Sequence, residues 1–171
     1  MNTLPVLHSK EWNLIISPPH TRMLIAIAHI AYHAELTILD CGRQFDSSVV
    51  ARAARGRHDV IDRIKVQRAF TCYEAVKLIE RLPGANAPVI VLDFLSTFQD
   101  ENVKTQSRRY LLEVSIRHFQ RLSRGAGLAV SVDSPSPSPD SIHLFERLRA
   151  AAPNVSSYES SPQPPGQLRF L

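Results

Sequence analysis

The sequence predicts an α/β domain, a mostly parallel twisted sheet with helices on both faces and a C-terminal β-hairpin. Three observations predict it. Short runs that are apolar throughout recur along the chain, as strands buried on both faces require. Segments whose apolar residues repeat with helical spacing separate them, which favours parallel pairing over hairpins. The run "VIVLD" has Pro88 just before it and Asp93 at its end, the mark of a central strand with an acid at its C-terminal edge.

In chain order, β-rich runs fall at 14–17, 36–40, 64–70, 89–93 and 128–132, and helical spacing covers 23–33, 47–55, 72–82, 105–124 and 140–152. The helix over 105–124 is the longest. Leu111, Leu112, Ser115, Ile116, Phe119 and Leu122 form one stripe, with Arg117, Arg121 and Arg124 opposite. Gly125 and Gly127 then stop it and return the chain to a strand. The Pro/Ser segment "DSPSPSPDS" (133–141) holds three alternating prolines, so it reads as an extended loop leading into a helix near Asp140. "VSSYES" and "QLRF" flank "SPQPPG" and read as the terminal hairpin. One domain accounts for 1–171, with 1–11 as an N-terminal extension.

Composition sets further bounds. Apolar residues are 44% and charged residues 21%, as in ordinary globular proteins. No stretch has the length of a membrane span and the first residues lack a signal-peptide pattern, so a cytoplasmic protein with no membrane partner is expected. Cys41 and Cys72 lack metal-site spacing and read as buried free thiols at strand ends. Net charge is +4, and the excess is localised: residues 43–68 carry seven basic and three acidic side chains, and residues 104–124 carry six and one. Such clustering suits a polyanionic partner, and equally suits arginines on solvated helix faces.

The chemistry turns on "NLIISPPHTRMLIAIAHIA" (13–31), a strand, loop and helix in the position where α/β proteins often cradle phosphate. Taken with "ELTILDCGRQF", "RIKVQRAFTCYEAVKLIE", "VIVLDFLSTF" and "FQRLSRGAGLAVSVD", this order resembles the ATPase core of the RecA/RadA recombinase family over residues 12–134. The resemblance implies a RecA-type sheet and places the two DNA-binding loops near 99–110 and after "AVSV". It also exposes departures. The family's phosphate-loop glycines, lysine and hydroxyl fall on Ser17, Arg22, Met23 and Leu24, and Pro18 and Pro19 have no N–H to offer a phosphate. The family's catalytic glutamate falls on Gly42. Asp93 matches its magnesium-orienting acid but lacks the partner hydroxyl, and reads as structural.

No catalytic residue, cofactor or metal site is therefore expected. His29 and His33 share a helical face but lack a placed third ligand, and Ser131 and Ser134 lack the glycine context of a nucleophile. Lys104, Arg108, Arg109 and Tyr110 offer arginine and an aromatic ring for single-stranded DNA, and Arg55 and Arg57 add to the other basic segment. The second loop has no basic residue. The resemblance implies a non-catalytic accessory protein of recombination or repair that binds DNA or a RecA/RadA-type recombinase. A protein-interaction or homodimeric module, and a residual nucleotide binder, stay open as alternatives.

Overall fold

The computed structural model describes residues 10–84 and 87–158. Six strands, β1 (Asn13–Ile16), β2 (Leu36–Asp40), β3 (Ile64–Arg68), β4 (Val89–Leu92), β5 (Leu128–Val132) and β6 (Asn154–Ser157), form one sheet in the order β3-β2-β4-β5-β1-β6. Every neighbouring pair is parallel. This is an α/β fold of the kind the apolar runs predict, with all C-terminal strand ends along one edge.

Six helices cover it: α1 (His20–His33), α2 (Ser47–Ala53), α3 (His58–Asp62), α4 (Cys72–Arg81), α5 (Thr105–Ser123) and α6 (Pro139–Ala151), with a 3-10 helix at Phe94–Phe98. Alternation along the strands divides the core. Leu14, Ile16, Leu39, Val89, Val91, Leu128, Val130 and Val132 pack with α4, α5, α6 and the 3-10 helix. Ile15, Leu36, Ile38, Ile90, Leu92 and Ala129 pack with α1 and α2 on the other face. Trp12 stacks at 5.2 Å on Phe119 of α5, tying the start of β1 to the first layer.

The caps follow local chemistry. Asp46 accepts from the Ser48 and Val49 N–H groups, Thr71 accepts from Glu74 N, and Ser138 caps α6 with Pro139 at the first helical position. Gly127, at φ 114°, makes the return from α5 into β5.

Three readings of the sequence are corrected. Residues 58–62 and 94–98 are helical, though too short to produce a recognisable period. Cys72 opens α4 instead of ending a strand, while both thiols are buried and free as expected. Arg121 does not point into solvent: its guanidinium donates to the carbonyls of Ile79, Glu80 and Leu82 and so closes the C-terminal end of α4. The first arm of the expected hairpin is β6, which pairs with β1; its second arm, at 167–170, lies outside the described residues. No helix among the described residues is long and apolar enough to cross a membrane.

Candidate functional site

The C-terminal edge of the sheet collects Ser17, Asp40, Asp93 and Asp133 at the ends of β1, β2, β4 and β5, where open α/β sheets place ligands. Ser17 still belongs to the ladder, its N–H donating to Val132 O at 2.8 Å. Pro18 and Pro19 turn the chain, and α1 is already under way at His20. Arg22 consequently lies on an exposed part of the first turn, while Met23 and Leu24 point at the sheet. Met23 is 5% exposed and Leu24 is 1%, packed among Ile15, Ile27, Ile90 and Leu92. The two positions at which the resemblance expects an ammonium and a metal-binding hydroxyl are core residues.

What remains of a cavity there measures ≈ 20 Å³, bounded by Pro18, His20, Met23, Leu24, Gln44, Asp93, Ser131 and Asp133 among others. That is room for about one water; ligand pockets run to roughly 300 Å³ and more. A polar network closes the space above it. His20 Nδ1 donates to Gln44 Oε1 at 2.8 Å, Gln44 and Asp93 border the same small cavity, and the Asp93 N–H donates to Ser131 Oγ at 2.9 Å. Beside them the hydroxyls of Ser17 and Ser134 lie 3.1 Å apart.

Asp40 organises the loop after β2. It is 1% exposed, and its carboxylate accepts from the N–H groups of Gly42 (3.2 Å), Gln44 (2.9 Å) and Phe45 (2.9 Å). Arg68 Nε stands 3.8 Å away. Asp93 sits directly over Gly42: a Cβ at position 42 would lie 2.1 Å from Asp93 Oδ2 and 2.5 Å from its Cβ. Asp93 itself holds a left-handed conformation, φ 51°. Ser17 and Arg43 share that strain at φ 50° and 54°, so three of the five left-handed non-glycine residues described gather at this edge. Such strain is characteristic of functional or formerly functional sites.

Burial, then the charges of Asp133 and Asp40, push the Asp93 carboxyl up to about 6, against smaller opposing contributions from the Asp133 backbone and Gln44. Burial also raises the Cys41 thiol well above its usual range, so it stays protonated. The sign for Asp93 is that of an acid raised on folding. Stability is greatest where both states are protonated and falls as pH rises through about 6. Asp93→Asn should therefore stabilise the protein near neutral pH by about 1–2 kcal/mol, after discounting for solvent screening of a partly exposed group. In melts from pH 4 to 8 its advantage over wild type should grow with pH and then level off; an advantage that is flat with pH would contradict the assignment.

The residues expected to meet DNA do not converge. Arg108 is buried. Its guanidinium donates to the carbonyls of Phe98 and Val103, to Thr105 Oγ1 and to Asp140, joining the 99–105 loop to the start of α6. Arg109 lies 3.8 Å from the same aspartate. Lys104 and Tyr110 are exposed. Arg57 pairs with Asp59 at 2.7 Å and stacks 4.3 Å over Tyr32, and Arg55 is exposed beside it. These last two follow α2, on the face of the sheet opposite α5, so the two basic segments do not form one groove. His29 and His33 meet ring edge to ring face on α1, at 5.5 Å between centroids. Among the described residues no group of three or more His, Cys, Asp or Glu is placed to hold a metal ion.

A different cluster appears beyond the ends of β2 and β3. Arg43 lies over the ring of Phe70, 5.6 Å from its centroid, and an open cleft of ≈ 590 Å³ beside them is lined by His20, Arg43, Gln44, Phe45, Val66 and Arg68 among others. Pattern reading missed it because Arg43 and Phe70 belong to separate strand-loop units. The available signal was "CGRQF" and "QRAF", each following a strand of what proves to be an adjacent pair.

No family model matches the chain, and no curated protein matches it. The site is read from its own chemistry.

Proposed function

We propose that this chain is a non-catalytic, RecA-like accessory domain that acts by binding single-stranded nucleic acid in recombination or repair. One observation carries the loss of catalysis: Met23 and Leu24 are packed into the core beneath a cavity of ≈ 20 Å³. A triphosphate has no room at that point, and Pro18 and Pro19 offer it no N–H. Of the acids at this edge, Asp40 is taken up by three loop N–H groups, and Asp93 is half-buried beside Asp40 and Asp133. The net charge of +4 and the arginines beside exposed aromatic rings support a polyanion as the partner.

A fluorescein-labelled dT20 oligonucleotide tests the reading by anisotropy. Binding is expected at 50 mM salt and should weaken roughly ten- to twentyfold by 200 mM, the response to about three neutralised phosphates on a single strand. Absence of binding at low salt would remove the nucleic-acid reading.

A second reading, docking of a recombinase partner, is favoured by the edge strand β3. Among the described strands it pairs with β2 alone, and Val66 on it and Phe70 just beyond it are exposed. Edge strands and exposed aromatic side chains also suit protein contacts.

A further inference from the structure

We infer that the nucleic-acid contact lies on Phe70, Arg43 and Arg68, at the C-terminal ends of β2 and β3, and that Phe70 is the stacking surface for an unpaired base. The inference rests on the nucleic-acid reading above and narrows it to the two ends of the 43–68 basic segment, with Phe70 added to them.

Phe70 is 60% exposed, and Tyr73, three residues on at the start of α4, is 54% exposed. Neither ring is needed by the core, which Ala69, Cys72, Ala75 and Val76 from the same stretch already fill. Two large rings left in water within four residues are available for a ligand with flat faces.

The cations are positioned for the phosphates of such a ligand. Arg43 is held at φ 54° in the loop tied down by Asp40, so its backbone is fixed although its side chain is exposed. Arg68 leaves the end of β3 beside it, steadied by Phe45 O at 3.3 Å, and both arginines border the ≈ 590 Å³ cleft. The acids nearby have partners: Asp46 caps α2, Asp40 is buried beneath the loop with three N–H partners, and Glu74 accepts from the Phe70 N–H at 3.1 Å.

This arrangement pairs a π-face with guanidinium groups along a polar cleft, the chemistry of sequence-tolerant single-strand binding. A duplex would not suit it, since its bases are already stacked on one another and cannot lie on Phe70. An apolar peptide would find a cleft whose lining is largely polar.

The test uses the full chain and fluorescein-labelled dT20 at 50 mM salt, with wild type, Phe70→Ala, Arg43→Gly and Tyr110→Ala. Phe70→Ala should weaken binding roughly five- to a hundredfold, the range for loss of one stacked base. Arg43→Gly should weaken binding and flatten the salt dependence by about one phosphate. Its melting temperature should hold or rise, because glycine accepts a left-handed backbone without strain. Tyr110→Ala, on α5, should bind like wild type. If wild type binds but Phe70→Ala binds equally well, the location is overturned and the nucleic-acid reading stands. If wild type does not bind, both fall. If Phe70→Ala leaves DNA binding unchanged but abolishes self-association in sedimentation, the surface is a protein contact and the inference is overturned.

Discussion

Asp40→Ala is expected to destabilise the protein by about 3 kcal/mol or more, seen as a lower denaturation midpoint in urea. The side chain itself makes little apolar contact. What it supplies is an acceptor for three backbone N–H groups, those of Gly42, Gln44 and Phe45, at 2.9–3.2 Å. These donors lie in a part-buried loop, and removal of the carboxylate leaves them without a partner at a position only 1% open to water. For a chain of this length the melting temperature should fall by about 6–12 °C. Asp40→Asn retains one acceptor oxygen and should lose less. Because the same loop carries Arg43 and Gln44, the alanine variant should also weaken oligonucleotide binding, whereas a purely distant stabilising residue would leave binding of the folded fraction intact. A near-neutral Asp40→Ala would mean that water satisfies the loop and that its geometry owes little to the acid.

Gly42→Ala is the second large effect. The added methyl would stand 2.5 Å from the Asp93 Cβ, an atom that side-chain rotation cannot move. Overpacking of this kind costs about 1–3 kcal/mol, and the upper end is expected here because both residues lie at strand ends fixed by the sheet. The explanation is specific enough for a double-mutant cycle. Asp93→Gly removes the obstructing Cβ and accepts φ 51° without strain, so Gly42→Ala should be tolerated in that background. A coupling of about 2 kcal/mol is expected; a coupling near zero would place the cost elsewhere. Any larger side chain at position 42, a glutamate included, would bring its Cβ to the same distance from the Asp93 Cβ.

Much of the fold was legible because buried parallel strands announce themselves. "LTILD", "VIVL" and "LAVSV" lose their apolar side chains to both faces, and the structure places β2, β4 and β5 at those runs. The edge strand β3 was legible for a different reason, since "IKVQR" is β-branched at alternate positions although mostly exposed. Boundaries set by side-chain contacts were not legible. Arg108 read as a DNA-contacting arginine of the loop before α5, and Arg121 as a solvent-facing arginine on α5. One is taken up by loop carbonyls and Asp140, the other by the carbonyl end of α4, and neither partner is near in sequence. Position within a helical period says which way a side chain leaves its helix, but not which carbonyls tertiary packing brings there.

The site was half legible. That Pro18, Pro19, Met23 and Leu24 lack phosphate-binding groups is a matter of covalent structure. That Met23 and Leu24 turn into the core, leaving ≈ 20 Å³, needed the start of α1 at His20. The contact of Gly42 with Asp93 joins residues from two strands and could not be inferred from either alone. Asp93 was visible in the sequence as the acid at the end of β4, but its left-handed backbone and its crowding by Asp40 and Asp133 belong to three separate strand ends meeting at one edge.

Calorimetric titration of the chain with ATP and magnesium tests most directly the central claim, that the phosphate site has been filled by the protein's own side chains. The account predicts no saturable heat at millimolar nucleotide and no shift of melting temperature on adding it. A saturable isotherm with Kd below about 1 mM, a binding free energy beyond roughly −4 kcal/mol, would contradict it.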